Sequence, residues 1–144
     1  MRLPRGIRNN NPGNLRRSKD RWRGLCLSQT DPDFFQFKTP EDGLRALMIV
    51  LKNYQKRHGL KTVRGIVARW APPLENDTNG YVAAVCDSIC VRPDSAIDLE
   101  KPGVLIALSR AIVRHENGRP VDPFDPEWWY VLQQYVEACA RTKI

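Results

Sequence analysis

From Thr39 onward the apolar residues of this chain recur every three to four positions, a spacing that only amphipathic helices packed on one another can bury. Thr39-Pro40-Glu41-Asp42 opens the pattern with a capping hydroxyl, a proline where the first turn tolerates one, and an acidic third position resembling a capping box. Leu44, Leu47, Met48, Leu51 and then Tyr54 or Gln55 follow on one face, and Gly59 closes the helix. A second helix is expected near Thr62 with Val63, Ile66, Val67 and Trp70 together. It must end by Ala71-Pro72-Pro73, because a residue before proline is pushed out of helical geometry. Thr78 is placed to cap a third, carrying Tyr81, Val82, Val85 and Ile89. The fourth runs over about residues 102–117 with Leu105, Leu108, Ile112 and His115 as its stripe and Gly118 as its stop. Asp125-Pro126 is expected to open a fifth, on which Trp128, Leu132, Tyr135, Val136 and Cys139 repeat as packing residues.

The first 38 residues differ in kind, being rich in Asn, Pro, Gly and Arg with an aromatic patch at Phe34, Phe35 and Phe37. They predict loop plus a small β-hairpin. The expected fold is therefore mostly α, a single domain over residues 1–144, with 1–38 as a loop and hairpin arm and 39–144 as the helical body. With 42% apolar residues in 144, one core can form without metal or disulfide staples. Cys26, Cys86, Cys90 and Cys139 lack paired C-x-x-C spacing, so no metal site is expected. Semi-buried thiols are the default, and an oxidising compartment would leave three possible pairings open. No cofactor is implied.

No apolar stretch approaches the about 18 to 20 residues that span a bilayer, so no membrane insertion is expected. The basic start MRLPRGIRNNNPGN has no apolar region behind it, so no signal peptide is visible and an extracytoplasmic target would need another route. The net charge of +7 is carried by Arg2, Arg5, Arg8, Arg16, Arg17, Lys19, Arg21 and Arg23 against Asp20. One basic face of this kind suits an anionic polymer such as an envelope polymer or nucleic acid.

Among candidate chemical groups, Glu116 stands out because it ends an amphipathic helix. Helix C-termini disfavour a carboxylate by ~0.3 to 1 kcal/mol, so its presence there calls for a reason, and a general acid sheltered in a cleft is one. Glu41 and Asp42 sit in a first turn, where capping alone favours acids. Glu75, in a Pro- and Asn-rich loop before the Tyr81 helix, is better placed to line a groove, and Tyr81 can hydrogen-bond a reacting group. His115 adjoins Glu116, yet neighbouring helical residues point about 100° apart and form no dyad.

Several blocks carry a resemblance: Arg5-Gly6-Ile7-Arg8-Asn9-Asn10-Asn11-Pro12-Gly13-Asn14-Leu15-Arg16, Trp22-x-Gly24, Phe37-x-Thr39-Pro40-Glu41-Asp42-Gly43-Leu44-Arg45-Ala46, Trp70-Ala71-Pro72-Pro73-x-Glu75-Asn76-Asp77-Thr78 and Ala111-Ile112-x-x-His115-Glu116-Asn117-Gly118. Together they resemble a family of phage virion-associated and endolysin proteins with lysozyme-like, lytic transglycosylase-type activity. The resemblance implies cleavage of peptidoglycan glycan strands between MurNAc and GlcNAc, with Glu116 as general acid and with Glu75 and Tyr81 in the catalytic set. It also resembles a rotated arrangement of transglycosylase elements, in which Glu116-Asn117-Gly118 stands for Glu-Ser-Gly. Residues 9–15 would then pack beside the end of the Glu116 helix, a change of order tolerated where termini lie close. Asn117 for Ser and the segment beyond Pro120 depart from that pattern. On this reading Asn9, Asn11, Asn14, Glu41 and Thr78 are the expected substrate-binding residues.

The implied partners are peptidoglycan strands, anionic envelope polymers met by the basic arm, and other virion proteins. The implied place of action is the periplasm or cell wall. Two other readings fit the same residues: a non-catalytic wall-binding virion protein, and a nucleic-acid-binding domain using the arginines and the helix pair around residues 59–70.

Overall fold

The computed structural model describes residues 2–118 and 129–143. Its longest helix begins where the capping signal lies. The Thr39 side chain accepts from the Asp42 backbone N–H, Pro40 takes the first position, and Gly59 ends the helix in the left-handed region at φ 63°. This helix is α2, Pro40–His58. Its stripe of Leu44, Leu47, Met48 and Leu51 is completely buried. Each such side chain is worth up to ~1.5 to 3 kcal/mol when removed from water, which outweighs any propensity difference along the helix.

Helix α3, Val63–Trp70, is capped by Thr62, whose side chain accepts from Gly65 N–H. Helix α4 spans Thr78–Ile89, but its cap is Asp77, whose carboxylate accepts from Gly80 N–H. Thr78 instead lies inside the first turn and donates to the Ala71 carbonyl at 2.6 Å. Helix α5 is Pro102–Asn117, as its proline and following Gly118 indicated. The fifth expected helix is shorter than its sequence pattern suggested. It is α6, Leu132–Arg141, preceded by Trp129 and Tyr130 in non-helical backbone. Asp125, Pro126 and Trp128 fall outside the described residues. The face of α6 is also rotated from the expected stripe: Tyr135, Ala138 and Cys139 are buried, whereas Leu132 and Val136 are exposed.

The main core joins α2 through α6, with Met48, Val67, Val85, Leu108, Ile112 and Tyr135 among its buried members. Helix α2 packs most extensively on α6 and also touches α3 and α5, while α4 closes against α3 and α5. Lys52 is nearly buried on α2, its ammonium 3.6 Å from Glu100 and 3.5 Å from the Thr142 hydroxyl. All four cysteines are free thiols, with Cys86 and Cys139 in the core. No helix among the described residues is long and apolar enough to cross a membrane.

The N-terminal region is not an arm. A short helix absent from the sequence reading, α1 (Arg5–Arg8), lies against α5. Phe35 and Phe37 bury themselves with Ala46 of α2 in a second small cluster, joined by Leu15, Trp22 and Leu25. The expected hairpin does not form a ladder among the described residues: this segment holds two isolated antiparallel bridges, Arg16 with Phe34 and Leu25 with Phe37. Side chains have taken the backbone groups that a ladder would pair. Asn11 Nδ2 donates to the Leu15 and Phe35 carbonyls, Gln29 Nε2 donates to the Cys26 and Gln36 carbonyls, and Gln36 N–H donates to Gln29 Oε1. Nor is every cation of this region free, since Arg5 Nε donates to Asp31 at 2.7 Å and Nη2 to Asp33 at 3.0 Å.

Candidate functional site

The last turn of α5 delivers Glu116 to a groove of about 320 Å³, whose walls include Asn14, Arg16, Phe34, Tyr54, Trp70, Pro72 and Glu75. Glu116 is half-buried and receives two hydrogen bonds. The Tyr81 hydroxyl donates to Oε2 at 3.0 Å, and Asn14 Nδ2 donates to Oε1 at 3.3 Å. The phenol oxygen in turn accepts from Trp70 Nε1 at 3.1 Å. Because indole N–H can only donate, it occupies a lone pair of the phenol and leaves the single phenolic proton for Glu116. Burial first, then the nearby charge of Glu116 and the hydrogen bond to it, hold the Tyr81 phenol protonated well above the ordinary tyrosine range. Tyr81 is therefore a fixed donor, and its ring is further held by His115, stacked on it at 3.7 Å between centroids.

The polar loop of residues 9–14 sits on the C-terminal end of α5, as the rotated arrangement requires. Asn117 Nδ2 donates to the Pro12 carbonyl at 2.8 Å and to the Val113 carbonyl at 2.9 Å, locking loop to helix. Asn10 and Asn14 both adopt φ 50°, a left-handed geometry that asparagine tolerates better than most residues. Gly43 lets the loop approach α2 so closely that a Cβ there would lie 1.8 Å from the Asn10 carbonyl oxygen. Gly13 similarly rests against Trp70 and Leu47. The loop thus sets Asn14 by contacts on three helices, α2, α3 and α5.

Of the residues singled out in the sequence, Glu116, Tyr81, Asn14 and Glu75 come together, Glu75 from the exposed loop between α3 and α4. The others do not. Asn11 is completely buried, its amide donating to two carbonyls and accepting from Leu15 N–H, so it braces the loop instead of facing a ligand. Asn9 is also buried and donates to Asp31 at 2.9 Å. Glu41 accepts from Gln134 Nε2 at 2.9 Å and fastens α2 to α6, outside the groove lining. Thr78 bridges the α3–α4 connection through Ala71. In each case a short polar side chain found a backbone or side-chain partner within its own fold, which a one-dimensional pattern does not reveal. His115 also leaves the core stripe assigned to it, being exposed against the Tyr81 ring.

Sequence reasoning missed Trp70 as a polar partner, taking it only as part of an apolar face. It also missed Asn117, which appeared as a departure from a motif and is the tie between α5 and the loop. A tryptophan in the last turn of a helix, before a Pro-Pro stop, was the available signal. Among the described residues no group of three or more His, Cys, Asp or Glu side chains is gathered as a metal site would need.

No protein-family model matches the chain. The chain is similar to Protein P5 of Pseudoalteromonas phage PM2, with 38% identity over 117 residues that cover 79% of this chain and 71% of that protein.

Proposed function

From the premise that the chain belongs to the family of Protein P5 of Pseudoalteromonas phage PM2, a phage protein family, we propose that it cleaves the glycan strands of peptidoglycan with a lysozyme-like helical domain. The observation that carries this reading is the doubly hydrogen-bonded carboxylate: Glu116 at a helix end, in an open groove, between the Tyr81 hydroxyl and the Asn14 amide. With a sugar laid in the groove, the Glu116 carboxyl acts as general acid and gives its proton to the glycosidic oxygen. Tyr81 and Asn14 keep the carboxyl aimed as an oxocarbenium-like centre develops at the MurNAc anomeric carbon.

The fate of that centre depends on Glu75. If Glu75 activates a water, the product is a reducing sugar; if the C6 hydroxyl of the same MurNAc attacks, the product is a 1,6-anhydro sugar. The exposed, loop-borne position of Glu75 supports the second outcome, because a general base held on the rim is poorly fixed over the reacting carbon. The expected setting is a virion-associated or released lytic protein working on the periplasmic wall, alongside other virion components.

The test is Glu116→Gln on purified sacculi, followed by turbidity and by mass analysis of the released fragments. Turnover should fall by roughly 10² to 10⁴, the usual worth of a positioned general acid, while sedimentation with sacculi is retained. Glu75→Gln should lower activity modestly and leave the products anhydro-terminated. A Glu116→Gln protein as active as wild type would refute the assignment, and a wild-type protein that sediments with sacculi without releasing fragments would favour a non-catalytic wall binder.

A further inference from the structure

The groove continues past the surroundings of Glu116. Val50 and Tyr54, one turn apart on α2, line it and also line a second hollow of about 440 Å³ walled by Trp22, Asn53, Arg57, His58 and Arg21. From Val50 to His58 the helix advances about 12 Å at 1.5 Å per residue, so the two hollows make one trough longer than a single sugar ring. Trp22 has one face on the Phe35 and Phe37 cluster and is only partly buried, which leaves it as a rigid wall for an apolar ring face.

Charge along this trough is polarised. Glu75 and Glu116, with Arg16, line one end; Arg21, Arg57 and His58, with Asp20, line the other. Arg69 lies over the Tyr54 ring between them, 5.4 Å from its centroid. Asp20 is engaged by the Ser18 hydroxyl at 3.0 Å, and neither Arg21 nor Arg57 forms an ion pair among the described residues. Two unpaired guanidinium groups beside an aromatic wall suit carboxylates attached to a carbohydrate, since the planar fork matches a carboxylate while the ring takes the sugar face.

We propose that the second hollow binds the carboxylate-bearing peptide stems of the glycan strand, so that the protein engages peptide-substituted strands in preference to bare ones. This rests on the reading of the first hollow as the glycan groove.

The experiment measures sedimentation of Glu116→Gln protein, alone and with Arg21→Glu and Arg57→Glu added, on intact sacculi and on sacculi stripped of stem peptides by an amidase. Lys61→Glu with Lys101→Glu, two exposed lysines outside both hollows, gives a control of equal net charge. Reversal of the two arginines should weaken binding to intact sacculi ~10-fold at low salt and leave stripped sacculi within about twofold, and the difference should shrink at high salt. The milder Arg21→Gln with Arg57→Gln pair should show the same selectivity at smaller amplitude, which separates the site from any folding defect of the reversed variant. Equal loss on both substrates, equal loss in the lysine control, or loss of double-stranded DNA binding with sacculus binding intact would each overturn the proposal. If the Glu116→Gln parent binds neither form of sacculus, the glycan reading itself fails and this site falls with it; if the parent binds both and the arginine variants match it, only the peptide-stem site is refuted.

Discussion

Gly43→Ala is the substitution on which helix chemistry and tertiary structure disagree in sign. In a helix interior alanine is favoured over glycine by ~0.8 to 1 kcal/mol, and α2 is helical on both sides of this residue. A Cβ at Gly43, however, would stand 1.8 Å from the Asn10 carbonyl oxygen and 2.9 Å from its carbonyl carbon. Carbon and carbonyl oxygen approach to about 3.3 Å at closest in weakly hydrogen-bonded contacts, so loop and helix must separate by about 1.5 Å. The loop cannot move freely, because Asn10 Nδ2 donates to the Phe37 carbonyl, Phe37 N–H donates to the Asn9 carbonyl at 2.9 Å, and Asn11 is held by three hydrogen bonds in the interior. Overpacking of this kind costs ~1 to 3 kcal/mol or more, which exceeds the propensity gain and leaves a net loss. Denaturant titration should therefore show a lower midpoint with an unchanged slope. A displacement of the loop also carries Asn14 away from Glu116, and a misplacement near 1 Å can cost about 10² in rate, so on the proposed glycan-cleaving reading fragment release should fall well beyond the loss in stability. A Gly43→Ala protein as stable as wild type, or more stable, would refute the close approach of loop to helix and with it the account of how Asn14 is set.

Two further outcomes follow from the same contacts. Tyr81→Phe removes the acceptor of Trp70 N–H and a donor to Glu116, and should lower stability by ~1 to 3 kcal/mol in denaturant titration while the helical circular dichroism is retained; an unchanged midpoint would mean that the phenol is not engaged. Hydrogen bonding by Arg5 holds the Asp31 carboxyl well below the ordinary carboxylate range, against the opposing effect of burial and with help from Asn9 and the N–H groups of Asp33 and Phe34. A depressed folded-state value stabilises above the unfolded value of ~3.9, and that contribution is lost as pH falls below it. The deficit of Asp31→Asn relative to wild type should thus be largest near neutrality and narrow below about pH 4, and a deficit that grows on acidification would contradict the pairing.

The boundaries of α2, α3 and α5 were legible because their determinants are local. The Thr39 hydroxyl meets Asp42 N–H three residues on, Thr62 meets Gly65 in the same way, and Gly59 and Gly118 end their helices through their own backbone freedom. The burial of one face of α2 and of α3 followed from periodicity alone, since apolar side chains at that spacing have no other way to leave water. Glu116 too was visible, as an acid where a helix end disfavours one. What only the tertiary structure decided was which polar groups meet. Tyr81 reaches Glu116 across 35 positions and Asn14 reaches it across 102, while Asn11 and Glu41, of the same residue types as Asn14 and Glu116, turned inward to carbonyls and to Gln134. The N-terminal segment became part of the body for the same reason: its phenylalanines are buried against Ala46 of α2, and its Pro12 carbonyl accepts from Asn117 of α5, 105 positions away. Caps and stripes are written in stretches of a few residues; a hydrogen bond between distant polar groups depends on where the packed helices bring them, and no local pattern encodes that distance.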